Sequence, residues 1–174
     1  MIGIVLVTHG NLALEFLAAL EHVVGPQQCV SAVCIGAEDD MEKRRSEILE
    51  RARACDTGDG VIVLTDMFGA TPANIAGRLA SVPNVRVLCG VNLPMLVRAV
   101  CYRATPLDTL VDKALAGATK GVHAIGPATP APVAPPAGSS DCLPALPPEA
   151  AAADCLQALP AEADLTQKAG STGL

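Results

Sequence analysis

Four short runs of nearly unbroken apolar residues, at 2–7, 30–35, 61–64 and 85–89, are separated by segments of helical character. Runs that do not alternate apolar with polar residues mark strands covered on both faces, which in one chain means parallel strands joined by helices. The expected fold is therefore an α/β, doubly wound, mainly parallel sheet. A fifth, shorter run at 122–125 adds one more strand. With the common 2-1-3-4 order, the first and third strands are neighbours where the strand order reverses, and ligands in such sheets bind beyond the carboxyl ends at that point.

Helix signals agree with this alternation. Leu12, Phe16, Ala19, Leu20 and Val23 recur at helical spacing and stop at Gly25-Pro26, so they define one buried face of a first helix. Asp39 with Glu42 reads as a capping box for a second. Thr71 and Pro72 read as N-cap and first helical residue of a third, running to about Ser81, and Thr105-Pro106 repeats that signal for a helix through Ala116.

Beyond Ile125 the composition changes: nine of the fourteen prolines fall in residues 126–174, with much Ala and Ser. Such a segment buries too little apolar surface to offset the entropy of ordering it. The chain is thus expected to form one domain over 1–125 and a Pro/Ala-rich disordered tail over 126–174, with a nascent helix around 149–155. The tail repeats Asp-Cys-Leu-x-Ala-Leu-Pro at 141–147 and 154–160, a candidate pair of docking motifs.

Charge and cysteine content narrow the function classes. A net charge of −6 argues against a phosphate-backbone binder, so no nucleic-acid partner is expected. No apolar run approaches the length of a membrane span, and residues 1–7 lack a basic start and a cleavage site, so a buried strand is expected there instead of a signal peptide. The seven cysteines (29, 34, 55, 89, 101, 142, 155) include no Cys-x-x-Cys, which suggests reduced thiols in a cytoplasmic protein and no metal site.

Two polar groups fall at the expected ligand end of the sheet. His9 ends the first strand in Val7-Thr8-His9-Gly10, and Asp66 ends the third in Leu64-Thr65-Asp66. A histidine beside a carboxylate has a fixed tautomer, a neutral nitrogen free to attack, and a compensated charge once modified. Alone, a strand-end histidine is as often a turn residue. The following loop, Met67-Phe68-Gly69-Ala70-Thr71-Pro72-Ala73-Asn74, leads through glycine into a helix start, where N–H groups and the Thr71 hydroxyl favour a phosphoryl group. Neither a Walker loop nor a dinucleotide fingerprint is present, which points to a phosphoryl donor that is not a nucleotide. His22 and His123 sit in a helix and the last strand and are assigned no role.

Together with a third block, Gly90-Val91-Asn92-Leu93-Pro94-Met95-Leu96-Val97, these motifs resemble the mannose-family enzyme IIA of the phosphoenolpyruvate-dependent sugar phosphotransferase system, over residues 1–125. The resemblance implies that His9 accepts a phosphoryl group from the histidine-containing phosphocarrier protein and passes it to a IIB protein. It further implies Asp66 as the partner of His9, Thr71 with the backbone of Gly69 and Ala70 as phosphoryl contacts, and no cofactor. It implies a homodimer in which the short strand around 121–125 exchanges between subunits and pairs antiparallel. Fused relatives carry an Ala/Pro-rich linker before a IIB domain; here the chain ends after linker-like sequence, so a separate IIB acceptor is expected, with the membrane reached only through a permease. The alternative is a regulatory module whose His9 phosphorylation state controls partner binding.

Overall fold

The computed structural model describes residues 1–124 and Gly126. The tail, its repeat, its expected short helix and Ile125 lie outside the described residues. In chain order the elements are β1 (Gly3–His9), α1 (Leu12–Val24), β2 (Val30–Ile35), α2 (Met41–Cys55), β3 (Val61–Thr65), α3 (Thr71–Gly77), β4 (Val85–Cys89), α4 (Leu93–Cys101) and α5 (Leu107–Lys120). A 3-10 turn, Arg78–Ser81, extends α3 to its expected end.

The four strands form one parallel sheet in the order β2-β1-β3-β4, the expected arrangement. Successive side chains of a strand point to opposite faces, and both faces are covered. Ile4, Leu6, Ile62 and Leu64 pack with Leu20, Leu96 and Leu110 of α1, α4 and α5. Val5, Val7, Val61 and Val63 pack with Ile48, Ile75 and Leu79 beneath α2 and α3. This two-sided burial is why the runs show no alternation. Residues 122–124 are exposed and carry no strand pairing, so among the described residues the sheet has four strands.

Several helix boundaries differ from the expectation by one residue, each for a local reason. The N-cap of α2 is Asp40, whose Oδ1 accepts from the Glu42 and Lys43 N–H groups at 2.9 and 3.2 Å. Asp39, expected as the cap, is one residue too far to reach those donors. Its carboxylate folds back onto the Gly36 N–H at 2.6 Å and onto Arg44 Nε at 2.8 Å. In α3 the cap is Ala70, and Thr71 and Pro72 are the first two helical residues. Gly69 at φ +81° completes the turn earlier than the Thr-Pro pair suggests. The α5 cap is Pro106, while Thr105 Oγ1 donates to the Tyr102 carbonyl at 2.8 Å. That helix runs past Ala116 because Gly117 lets it approach α4; an added Cβ would meet Arg98 Cβ at 2.7 Å.

The buried face of α1 is also rotated from the expected one. Ala13 and Leu20 are fully buried and Phe16, Leu17 and Val24 pack beside them, whereas Leu12 and Val23 are 40% and 54% exposed. The apolar arc of α1, opposite Glu15, Glu21 and His22, is wider than one contact face, and the packing uses its Ala13–Leu20 side.

Candidate active site

His9 is the last residue of β1, and Asp66 is the residue after β3. Because Val7 pairs with Thr65 in the parallel register, the two side chains emerge side by side at the carboxyl edge. The pairing is direct. The His9 backbone N–H donates to Asp66 Oδ2 at 2.9 Å, and the ring Nδ1 lies 2.8 Å from the same oxygen. Asp66 Oδ1 accepts the Met67 N–H at 2.9 Å. A carboxylate only accepts, so in the neutral ring the proton sits on Nδ1 and Nε2 carries the lone pair.

The exposures of the two partners suit different tasks. The Asp66 side chain is 13% exposed and that of His9 47%, so the orienting group is shielded while the ring opens to solvent. Partial burial pushes the Asp66 carboxyl up, but the His9 backbone and ring N–H groups and the Met67 N–H overcome this and hold it below its ordinary value. The carboxylate is therefore charged and stands ready to balance positive charge on the ring.

The neighbouring loops hold this pair in place. Gly10 at φ +49° turns the chain away after His9 while its N–H donates to the Ile35 carbonyl at 2.9 Å. The Val91 N–H donates to the Thr65 carbonyl at 2.9 Å, tying the loop after β4 to the residue that precedes Asp66. Asn92 caps α4 through Met95 N–H at 2.9 Å and reaches the Ala118 carbonyl of α5 at 3.1 Å. These supporting roles were missed in the sequence, although Asn92 two residues before Pro94 is a legible helix start.

The remaining predicted site residues are close in sequence but are not joined to the pair by hydrogen bonds. Gly69 is exposed and its carbonyl accepts from Asn74 Nδ2 at 3.2 Å. Ala70 is the helix cap, and Thr71 is exposed at the first position of α3. Met67 and Phe68 project beside them, 58% and 87% exposed. His22 lies in the last turn of α1 and His123 beyond α5, and neither bonds to the pair. Thr65 was not anticipated at all: its buried Oγ1 has no hydrogen-bond partner among the described residues. Among those residues no group of three or more His, Cys, Asp or Glu is arranged to hold a metal, and no helix is long and apolar enough to cross a membrane.

A family model described as the phosphotransferase-system (PTS) fructose IIA component, EIIA-man, matches residues 3–115. The chain belongs to this family. The mannose-specific EIIAB component of the phosphotransferase system of Escherichia coli K12 is 32% identical over 127 residues, 71% of this chain. The match spans 39% of that relative's length. Among solved structures, the EIIA component from Streptococcus agalactiae superposes with a TM-score of 0.65 at 31% identity, covering 71% of this chain and 97% of that one. The mannose/sorbose-specific IIA subunit from Enterococcus faecalis gives 0.67 at 26% identity, covering 74% and 97%. The EIIA-man match begins at the first residue of β1 and ends within α5, so it contains the whole sheet and both His9 and Asp66.

Proposed function

We propose that this chain is a phosphocarrier that takes a phosphoryl group from the histidine-containing phosphocarrier protein onto His9 Nε2 and delivers it to a separate IIB protein. The observation that carries this reading is the 2.8 Å contact between His9 Nδ1 and Asp66 Oδ2, which in the neutral ring puts the lone pair on Nε2 of a side chain that is half exposed. As the new N–P bond forms, the N–P bond to the donor histidine breaks and the donor imidazole leaves. Positive charge developing on the His9 ring lies against the Asp66 carboxylate. Positioning and electrostatics supply most of the acceleration in such a transfer.

Thr71 Oγ1 and the backbone of Gly69 and Ala70 contact the phosphoryl oxygens in this reading, supported by their exposure on the loop that leaves Asp66. The functional domain is 1–125, acting as a homodimer in the cytoplasm with the strand around 121–125 exchanged between subunits; the outer edge of β4, unpaired among the described residues, supports this, since an edge strand gains from a partner. A stable monomer in sedimentation would remove the exchange.

The decisive test is phosphoryl transfer from phosphoenolpyruvate through enzyme I and the phosphocarrier to wild type and His9→Ala, read by intact mass. Wild type gains one phosphoryl group and His9→Ala gains none. Labelling of both would move the site to His22 or His123. Labelling of wild type without onward transfer to any IIB protein would favour the regulatory reading.

A further inference from the structure

At the opposite end of the sheet two thiols and one guanidinium converge. Gly3, the first residue of β1, has no side chain, and the space is taken by Cys55 at the end of α2. A Cβ on Gly3 would stand 2.8 Å from Cys55 Cβ and 2.5 Å from its carbonyl oxygen. Cys29 immediately precedes β2, and since Ile4 pairs with Val30, it flanks Gly3 on the neighbouring strand. Cys29 and Cys55 pack into the same apolar cluster, on the α2 face. Cys55 seated over Gly3 and Cys29 beside Gly3 are therefore neighbours within one packed cluster.

The third group is Arg103, which is 5% exposed and has no carboxylate partner among the described residues. Its Nε donates to the Ile2 carbonyl at 2.8 Å and its Nη2 to the Cys29 carbonyl at 3.2 Å. That carbonyl also accepts the Ile4 N–H at 3.0 Å, so Cys29 is pinned in the left-handed region at φ +53°, where non-glycine residues are uncommon. Burial pulls the Arg103 guanidinium below its ordinary value, and charge on Cys29 and Cys55 acts in the opposite sense. Burial pushes the Cys55 thiol up, Cys29 adds to this, and Arg103 opposes both. The three groups are close enough to feel one another, and a buried cation gives negative sulfur a charge partner.

We propose that Cys29 and Cys55 are a redox-active thiol pair that closes to a disulfide when a hydroperoxide oxidises Cys29. Cys29 is the attacking group because it is half-buried, whereas Cys55 is buried. Its sulfur attacks one peroxide oxygen, the O–O bond breaks, and the product is a sulfenic acid with release of water or an alcohol. The Cys55 thiol then attacks that sulfur, the S–O bond breaks, water leaves and the S–S bond forms. Two thiols give up two electrons and one peroxide takes them. The cross-link ties the start of β2 to the end of α2, at the edge of the sheet away from His9.

The test uses the full, reduced chain treated with one equivalent of hydrogen peroxide, with remaining thiols blocked and peptides mapped without reduction. The expected result is a Cys29–Cys55 cross-linked peptide that dithiothreitol returns to its two separate thiol peptides. Cys55→Ser is expected to stop at a Cys29 sulfenic acid that dimedone traps. Cys29 joined to any other cysteine, or oxidation of Cys34 and Cys89 as fast as Cys29, would overturn the proposal. The wild-type map decides this even if the serine variant fails to fold, and its outcome is independent of His9 phosphorylation.

Discussion

At the carboxyl edge of the sheet His9 stands 47% exposed above a carboxylate, whereas at the amino edge Arg103 is 5% exposed and spends its donors on backbone carbonyls. The same parallel strands frame both edges. The difference lies in what the connecting loops cover. Short glycine turns at Gly10, Gly69 and Gly90 fold away from the carboxyl edge and leave polar atoms reachable. At the amino edge the chain closes over itself, with Cys55 against Gly3 and Gly60 so near the Asn84 carbonyl that an added Cβ would stand 2.6 Å from it. Polar groups left open can exchange partners during a reaction. Those sealed against carbonyls can only hold the structure, unless a neighbouring thiol is oxidised.

This contrast predicts opposite responses to removing a polar group. The largest effect is expected from Asp66→Asn, which slows phosphoryl transfer by about 10²-fold while the chain still folds. Both Asp66 oxygens accept N–H donors, and an amide offers only one acceptor while aiming an NH2 group at another donor. Quench-flow rates with wild type and variant, alongside thermal melts, separate the two readouts. Equal transfer rates would remove Asp66 from the mechanism.

At the other edge the expected loss is in stability and not in rate. Arg103→Met deprives the Ile2 and Cys29 carbonyls of their guanidinium donors and is expected to cost about 2–3 kcal/mol in urea unfolding, with phosphoryl transfer unchanged in the folded fraction. A stability change within error would mean that water replaces the guanidinium, and that this edge is less sealed than its exposure indicates.

Smaller effects sharpen the comparison at the carboxyl edge. Thr65→Val keeps the side-chain shape and removes a buried hydroxyl that has no partner among the described residues, so a gain of about 1 kcal/mol is expected. A loss would show that the hydroxyl is bonded in solution. The pH effect is smaller still. Asp66 is held below its ordinary value when folded, so its contribution to stability is present above the unfolded carboxylate pKa of about 3.9 and is lost as pH falls through the lower folded value. Unfolding midpoints measured between neutral and acidic pH are expected to fall less steeply for Asp66→Asn than for wild type.

Much of the fold was legible because the strands are declared locally. The unbroken apolar runs at β1 and β3 state that both faces are covered, and strand ends locate the only surface such a sheet leaves for polar chemistry. His9 and Asp66 were readable for that reason. The helices were less so. Asp39 and Asp40 are equally good caps in composition, and only the position of Met41 decides which one reaches the free N–H groups. Thr71 was read as a cap because Thr-Pro is a strong start signal, but the turn at Gly69 begins the helix one residue earlier. Leu12 and Val23 lie at the border of an apolar arc wider than the face that α1 buries, and the sequence does not mark where that face ends.

The sequence by itself therefore determined the alternation of strands and helices, the parallel sheet, and the two residues at the end of adjacent strands. Each follows from side-chain periodicity and turn chemistry, which act over a few residues. Only the tertiary structure decided the rest: the shared Oδ2 contact that sets the His9 tautomer, the Val91 bond that steadies Thr65, and the gathering of Cys29, Cys55 and Arg103 beside Gly3. Those depend on strand register and helix rotation, which bring together residues as far apart as Ile2 and Arg103, and no local pattern encodes that distance.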